Sequence, residues 1–156
     1  MTQGRFVLSK KLFCLLGALA LTACSLREPA IELQTLTLDV APRANQDTPI
    51  AVDFIAVQDA ELLILLSSIP AKQWFAEREQ FQRDYRKSLS VWSLELVPGQ
   101  FMESTDFPLA GDTAAGLLVF AGYNSPGVHR LRLDEQRTAW LKFENRDMRL
   151  LSEGER

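Results

Sequence analysis

Histidine and cysteine are nearly missing from this chain of 156 residues: His129 stands alone, and the cysteines are Cys14 and Cys24. A metal centre needs several soft or imidazole donors converging on one point, so no metal ligand and no cofactor is expected. The serines, among them Ser67, Ser68, Ser88, Ser90 and Ser93, occur without a Gly-x-Ser-x-Gly elbow, and no glycine-rich phosphate loop is present. Carboxylate pairs such as Asp134-Glu135, and Asp106 with Asp112, fall in turn sequences where solvation and capping account for them. No catalytic residue is assigned, and neither an enzyme nor a small-molecule substrate is expected. Positive charge is also in short supply, with 17 Lys+Arg against 20 Asp+Glu. A nucleic-acid binder would want a basic stripe, so that class is set aside.

What is present begins with an export signal. Arg5, Lys10 and Lys11 form a positive start, and an apolar run from Leu12 to Leu21 follows, interrupted only by Gly17. That run is too short for a hydrocarbon core of roughly 30 Å, which needs about 20 residues, so it reads as a cleaved signal peptide over 1–23. The site that ends it, Leu21-Thr22-Ala23-Cys24, resembles the lipobox of bacterial lipoproteins, whose cysteine becomes the acylated N-terminus. The resemblance implies that Cys24 carries the lipid; each buried methylene contributes about 0.8 kcal/mol, enough for three chains to hold the membrane firmly. Ser25 stands where inner-membrane lipoproteins usually carry Asp, which implies anchoring in the outer membrane with the domain facing the periplasm. Removal of 1–23 discards three basic and no acidic residues, leaving 14 against 20 and a formal charge of −6. It also discards Cys14, so no thiol remains for a disulfide.

After an acylated tether over 24–30, the hydrophobic pattern predicts one β-sandwich domain over 31–151 and a polar tail over 152–156. Leu36, Leu38 and Val40 alternate with polar residues, while Ile31 and Leu33 have the opposite parity, so a bulge or face switch is expected near Gln34-Thr35. The polar segment 41–49 reads as an exposed loop. The run 50–57 is apolar on both faces and reads as a central strand. Between 59 and 87 the period lengthens: Asp59 caps a first helix, Pro70 opens a second, and Trp74, Phe75, Phe81 and Tyr85 form an aromatic stripe expected to be core. Strands are expected again from Ser88 to the Pro98-Gly99 turn, over 115–123, 128–133, 138–143 and 147–151. Phe107 should plug the core, and His129 should share a strand face with Leu131 and Leu133.

The order of these features, with Thr48-Pro49-Ile50-Ala51-Val52 through Gln58-Asp59, Leu96-Val97-Pro98-Gly99-Gln100, and Gly116 to Tyr123, resembles the outer-membrane lipoproteins of type VI secretion systems, the TssJ family. The resemblance implies a transthyretin-like two-sheet sandwich with a helical insertion. It also implies a structural role in the secretion membrane complex and a partner in the periplasmic domain of a TssM-like inner-membrane protein. In that family the loop between the first two strands makes the contact. The resemblance implies that the loop over 41–49 takes part in that contact here, through Arg43, Ala44, Asn45, Gln46 and Asp47. The aromatic helix 71–85, with Trp74 or Phe75, is the rival surface. The alternative function is that of a pilotin-like lipoprotein escorting a secretin or another envelope subunit.

Overall fold

Two apolar patterns, one alternating and one continuous, sort the strands into their layers. The computed structural model describes residues 29–155; the signal peptide, Cys24 and most of the tether lie outside them. The strands are β1 (Thr35–Val40), β2 (Ile50–Val57), β3 (Leu89–Leu96), β4 (Phe101–Ser104), β5 (Gly116–Ala121), β6 (Arg130–Arg132), β7 (Thr138–Phe143) and β8 (Met148–Leu150). Helices α1 (Ala60–Leu66) and α2 (Ala71–Asp84) sit between β2 and β3. The sheets run β4-β1-β7-β8 and β3-β2-β5-β6. All pairings are antiparallel except β1 with β7, which is parallel.

The alternating strands face solvent on one side. Leu36, Leu38 and Val40 of β1 and Ala139, Leu141 and Phe143 of β7 point inward, where they meet Val52, Phe54, Leu96, Leu117 and Val119 of the other sheet. Phe107 fills this core from the loop after β4, with its ring 5.5 Å from Phe54 and 5.6 Å from Trp92. The expected face switch lies at Gln34-Thr35, where both amides donate to the Arg137 carbonyl, at 2.9 and 3.3 Å. Two residues opposing one is what lets Leu33 and Leu36 both be fully buried.

Continuous apolar strands need a cover on both sides, and the helices supply it for β2 and β5. Ile55, Val57, Leu118 and Phe120 pack outward against Leu62, Leu63, Leu66 and Trp74, each such burial contributing roughly 1.5–3 kcal/mol. Asp59 caps α1 by accepting from the Leu62 amide at 2.8 Å, and Pro70 precedes α2 in an extended conformation that its ring favours. Helix α1 lies so close to β5 that a Cβ on Gly116 would stand 2.7 Å from Leu63 Cδ2. At Pro98-Gly99 the Gln100 amide donates to the Val97 carbonyl at 3.0 Å, and Gly99 takes the positive φ of 80° that such a turn requires. Among the described residues no helix is long and apolar enough to cross a membrane.

Candidate partner-binding surface

The connection from β1 to β2 is not the open loop its polarity suggests. Asn45, Gln46 and Asp47 have φ values of 49°, 60° and 61°, so three successive side chains lie in the left-handed region. Asn and Asp tolerate this region, but Gln46 gains no such local compensation and costs about 1 kcal/mol. What holds the turn is Asn45. Its side-chain amide donates to the Pro49 carbonyl at 3.0 Å, and its Oδ1 accepts from the Asn124 amide at 2.7 Å. Its own carbonyl accepts from the Thr48 hydroxyl at 2.7 Å, and the same hydroxyl accepts from the Asn124 side chain at 2.9 Å. The Gln46 amide reaches Asn145 Oδ1 at 3.3 Å.

Burial divides the five expected contact residues. Ala44 and Asn45 are buried, at 0% and 2% exposure, and Asn45 acts within the fold. Arg43, Gln46 and Asp47 are the exposed members of the five. Arg43 and Asp47 face each other at 3.8 Å in an exposed pair, which by itself contributes under about 1 kcal/mol. The turn thus offers a donor, an amide and a carboxylate on a preset backbone.

The loop between β5 and β6, which grips Asn45 through Asn124, is itself pinned to the β7–β8 hairpin. His129 does not continue β6 as expected: it precedes the strand with φ 47°, and its ring turns to Asp147 and Ser125. Nδ1 lies 2.9 Å from Asp147 Oδ1, and Nε2 lies 2.8 Å from the Ser125 carbonyl. A carbonyl only accepts, so Nε2 donates. The Tyr123 ring lies against that of His129, tilted by 31° with centroids 4.8 Å apart, and its hydroxyl donates to the Asp147 carbonyl at 2.8 Å. Burial, then the charges of Asp147 and Glu144, push the Tyr123 phenol above its ordinary value. The Ser125 hydroxyl donates to the Arg146 carbonyl at 2.6 Å, not to His129. These contacts link two loops.

The role of one further residue escaped the sequence reading. Asp53, in the middle of β2, is 1% exposed and accepts from Trp74 Nε1 at 2.8 Å, with the Arg78 guanidinium at 3.5 Å. A carboxylate inside the apolar run 50–57 was the available signal, because such a group has to meet a donor on whatever covers the strand. Trp74 is fully buried, stacked between Phe81 and Phe120. Phe75, its neighbour, is half-buried and carries Arg78 over its ring at 5.8 Å.

No family model and no curated protein matches the chain. Solved structures do resemble it. Lip from Serratia marcescens, a membrane-bound component of the type VI secretion system, is 14% identical, with 76% of this chain and 96% of that one covered and a TM-score of 0.52. The type VI lipoprotein TssJ1 from Pseudomonas aeruginosa is 18% identical, with 75% and 92% covered and a TM-score of 0.53. A chain of a type VI membrane complex is 15% identical, with 77% and 99% covered and a TM-score of 0.57. The two-sheet sandwich with its helical insertion is therefore a TssJ-like fold.

Proposed function

We propose that this protein is an outer-membrane-anchored periplasmic lipoprotein that serves as a structural component of a type VI secretion membrane complex and binds the periplasmic domain of a TssM-like inner-membrane protein. The observation that carries the reading is the coincidence of two independent features in one chain. One is the Leu21-Thr22-Ala23-Cys24 lipobox, and the other is a fold shared with a type VI lipoprotein over nearly that protein's whole length. Acylation at Cys24 would hold the sandwich a few residues from the bilayer. The β1–β2 turn supports a role in partner contact because its conformation is set before any encounter. Ordering Arg43, Gln46 and Asp47 then costs little on binding, which is the usual benefit of preorganisation.

The test keeps the buried residues and changes the exposed ones. Arg43→Ser, Gln46→Gly and Asp47→Gly are combined, with Ala44 and Asn45 untouched, and affinity is measured for the recombinant periplasmic domain of a TssM-like protein from the same cell. A loss of tenfold or more, about 1.4 kcal/mol, with no fall in melting temperature is expected. Unchanged affinity removes the turn from the interface. Cys24→Ser should in parallel leave unprocessed precursor that no fatty-acid analogue labels, whereas normal processing to a soluble form would refute the anchor.

A further inference from the structure

A groove of about 780 Å³ runs between α2 and the β5–β6 loop. Its apolar lining includes Ala51, Pro70, Phe75, Gly122, Tyr123 and Pro126. The formally charged side chains that line it are Lys72 and Arg78, with no carboxylate among the described lining residues. Asp53 and Asp147 each hold a lining residue, Arg78 and His129, without lining the groove themselves.

Arg78 is the residue that gives the groove a chemistry. Its guanidinium is fixed on one side by Asp53 at 3.5 Å and by the Phe75 ring at 5.8 Å, yet its side chain remains 41% exposed. A guanidinium backed in this way keeps further N–H donors whose fork matches the two oxygens of a carboxylate. Lys72 adds an exposed ammonium at the same groove. Phe75 and Tyr123 offer aromatic ring surface of the kind that anchors an apolar side chain. The volume falls in the range that accepts a few residues of chain rather than a single ion.

We infer that this groove docks an extended acidic segment of a protein partner, with a carboxylate on Arg78 and Lys72 and an aromatic or aliphatic side chain against Phe75 and Tyr123. The inference is independent of the β1–β2 turn, since the substitutions proposed there leave Lys72, Arg78 and Gly122 in place. Either surface can fail its test without the other.

The test uses the full chain in detergent micelles. Two fluorescein-labelled heptapeptides are titrated by anisotropy, one alternating glutamate with phenylalanine or leucine, the other carrying lysine in place of glutamate. The acidic peptide should bind saturably and the lysine peptide at least tenfold more weakly. Lys72→Glu, at an exposed position, should weaken the acidic peptide about five- to tenfold through charge reversal. Gly122→Leu should abolish binding, because a Cβ there already meets Phe75 Cε2 at 3.4 Å and Ala51 Cβ at 3.5 Å, so a larger side chain occupies the floor. If Gly122→Leu unfolds the protein, Lys72→Glu decides. Absence of saturable binding, equal binding of the two peptides, or full binding by Lys72→Glu overturns the inference.

Discussion

Replacing Trp74 with Phe isolates one buried hydrogen bond from the packing around it. Trp74 is fully buried, with ring centroids 5.3 Å from Phe120 and 5.7 Å from Phe81 at interplanar angles of 16° and 17°. A phenyl ring keeps most of that stack but carries no N–H. Asp53 Oδ2, now 2.8 Å from Nε1, is then left with Arg78 at 3.5 Å, while Oδ1 already has no partner among the described residues. Losing a hydrogen bond to a charged group costs about 1.5–3 kcal/mol, because the carboxylate cannot recover its water. The void left by the missing ring adds about 1 kcal/mol. Trp74→Phe is therefore expected to destabilise by about 2.5–4 kcal/mol, out of a total stability of roughly 5–15 kcal/mol for a folded protein. The diagnostic comparison is a double-mutant cycle with Asp53→Val, which removes the acceptor and suits a strand interior. In the double variant neither the carboxylate nor the indole N–H is stranded, so it should be less destabilised than the sum of the singles by about 1.5–3 kcal/mol. Urea unfolding followed by far-UV circular dichroism gives the four free energies, provided the slopes agree. A coupling energy under about 0.5 kcal/mol would falsify the claim that the pair acts as a unit.

The raised Tyr123 phenol, pushed up first by burial and then by Asp147 and Glu144, predicts a pH dependence. A folded value above the unfolded one of about 10 stabilises the protein below that pH, and the contribution is lost as pH rises further, because the unfolded chain releases the proton first. The melting temperature should fall steeply above pH ~10 in wild type and more shallowly in Tyr123→Phe; equal slopes would refute the assignment. Asn45→Ala removes the bonds to Pro49 and Asn124 and places alanine at φ 49°, so a loss of about 2–4 kcal/mol is expected in thermal unfolding. Asn45→Gly loses the same bonds without the left-handed penalty and should cost about 1 kcal/mol less, and identical losses would mean that strain plays no part.

Read alone, the sequence determined what lies within a few residues of itself. Asp59 before an apolar run, Pro70 at a helix start and Pro98-Gly99 between two alternating segments each carry their own chemistry, and each sits where its local signal put it. The parity change at Gln34-Thr35 and the two-faced apolar runs of β2 and β5 were legible for the same reason: period and burial are written into consecutive side chains. Trp74 as core followed from its helical spacing, whereas the half-buried state of Phe75 did not. Tertiary structure alone decided the parallel pairing of β1 with β7, the hydrogen bond of Asn45 to a residue 79 positions away, and the meeting of Asp53 with Trp74 across 21. It also turned His129 out of its strand and onto Asp147, and it set Lys72 and Arg78 beside Tyr123 in one groove. A polar side chain states only that it needs a partner; which partner it meets depends on strand order and on how the loops cross, and those are settled by packing the whole core at once.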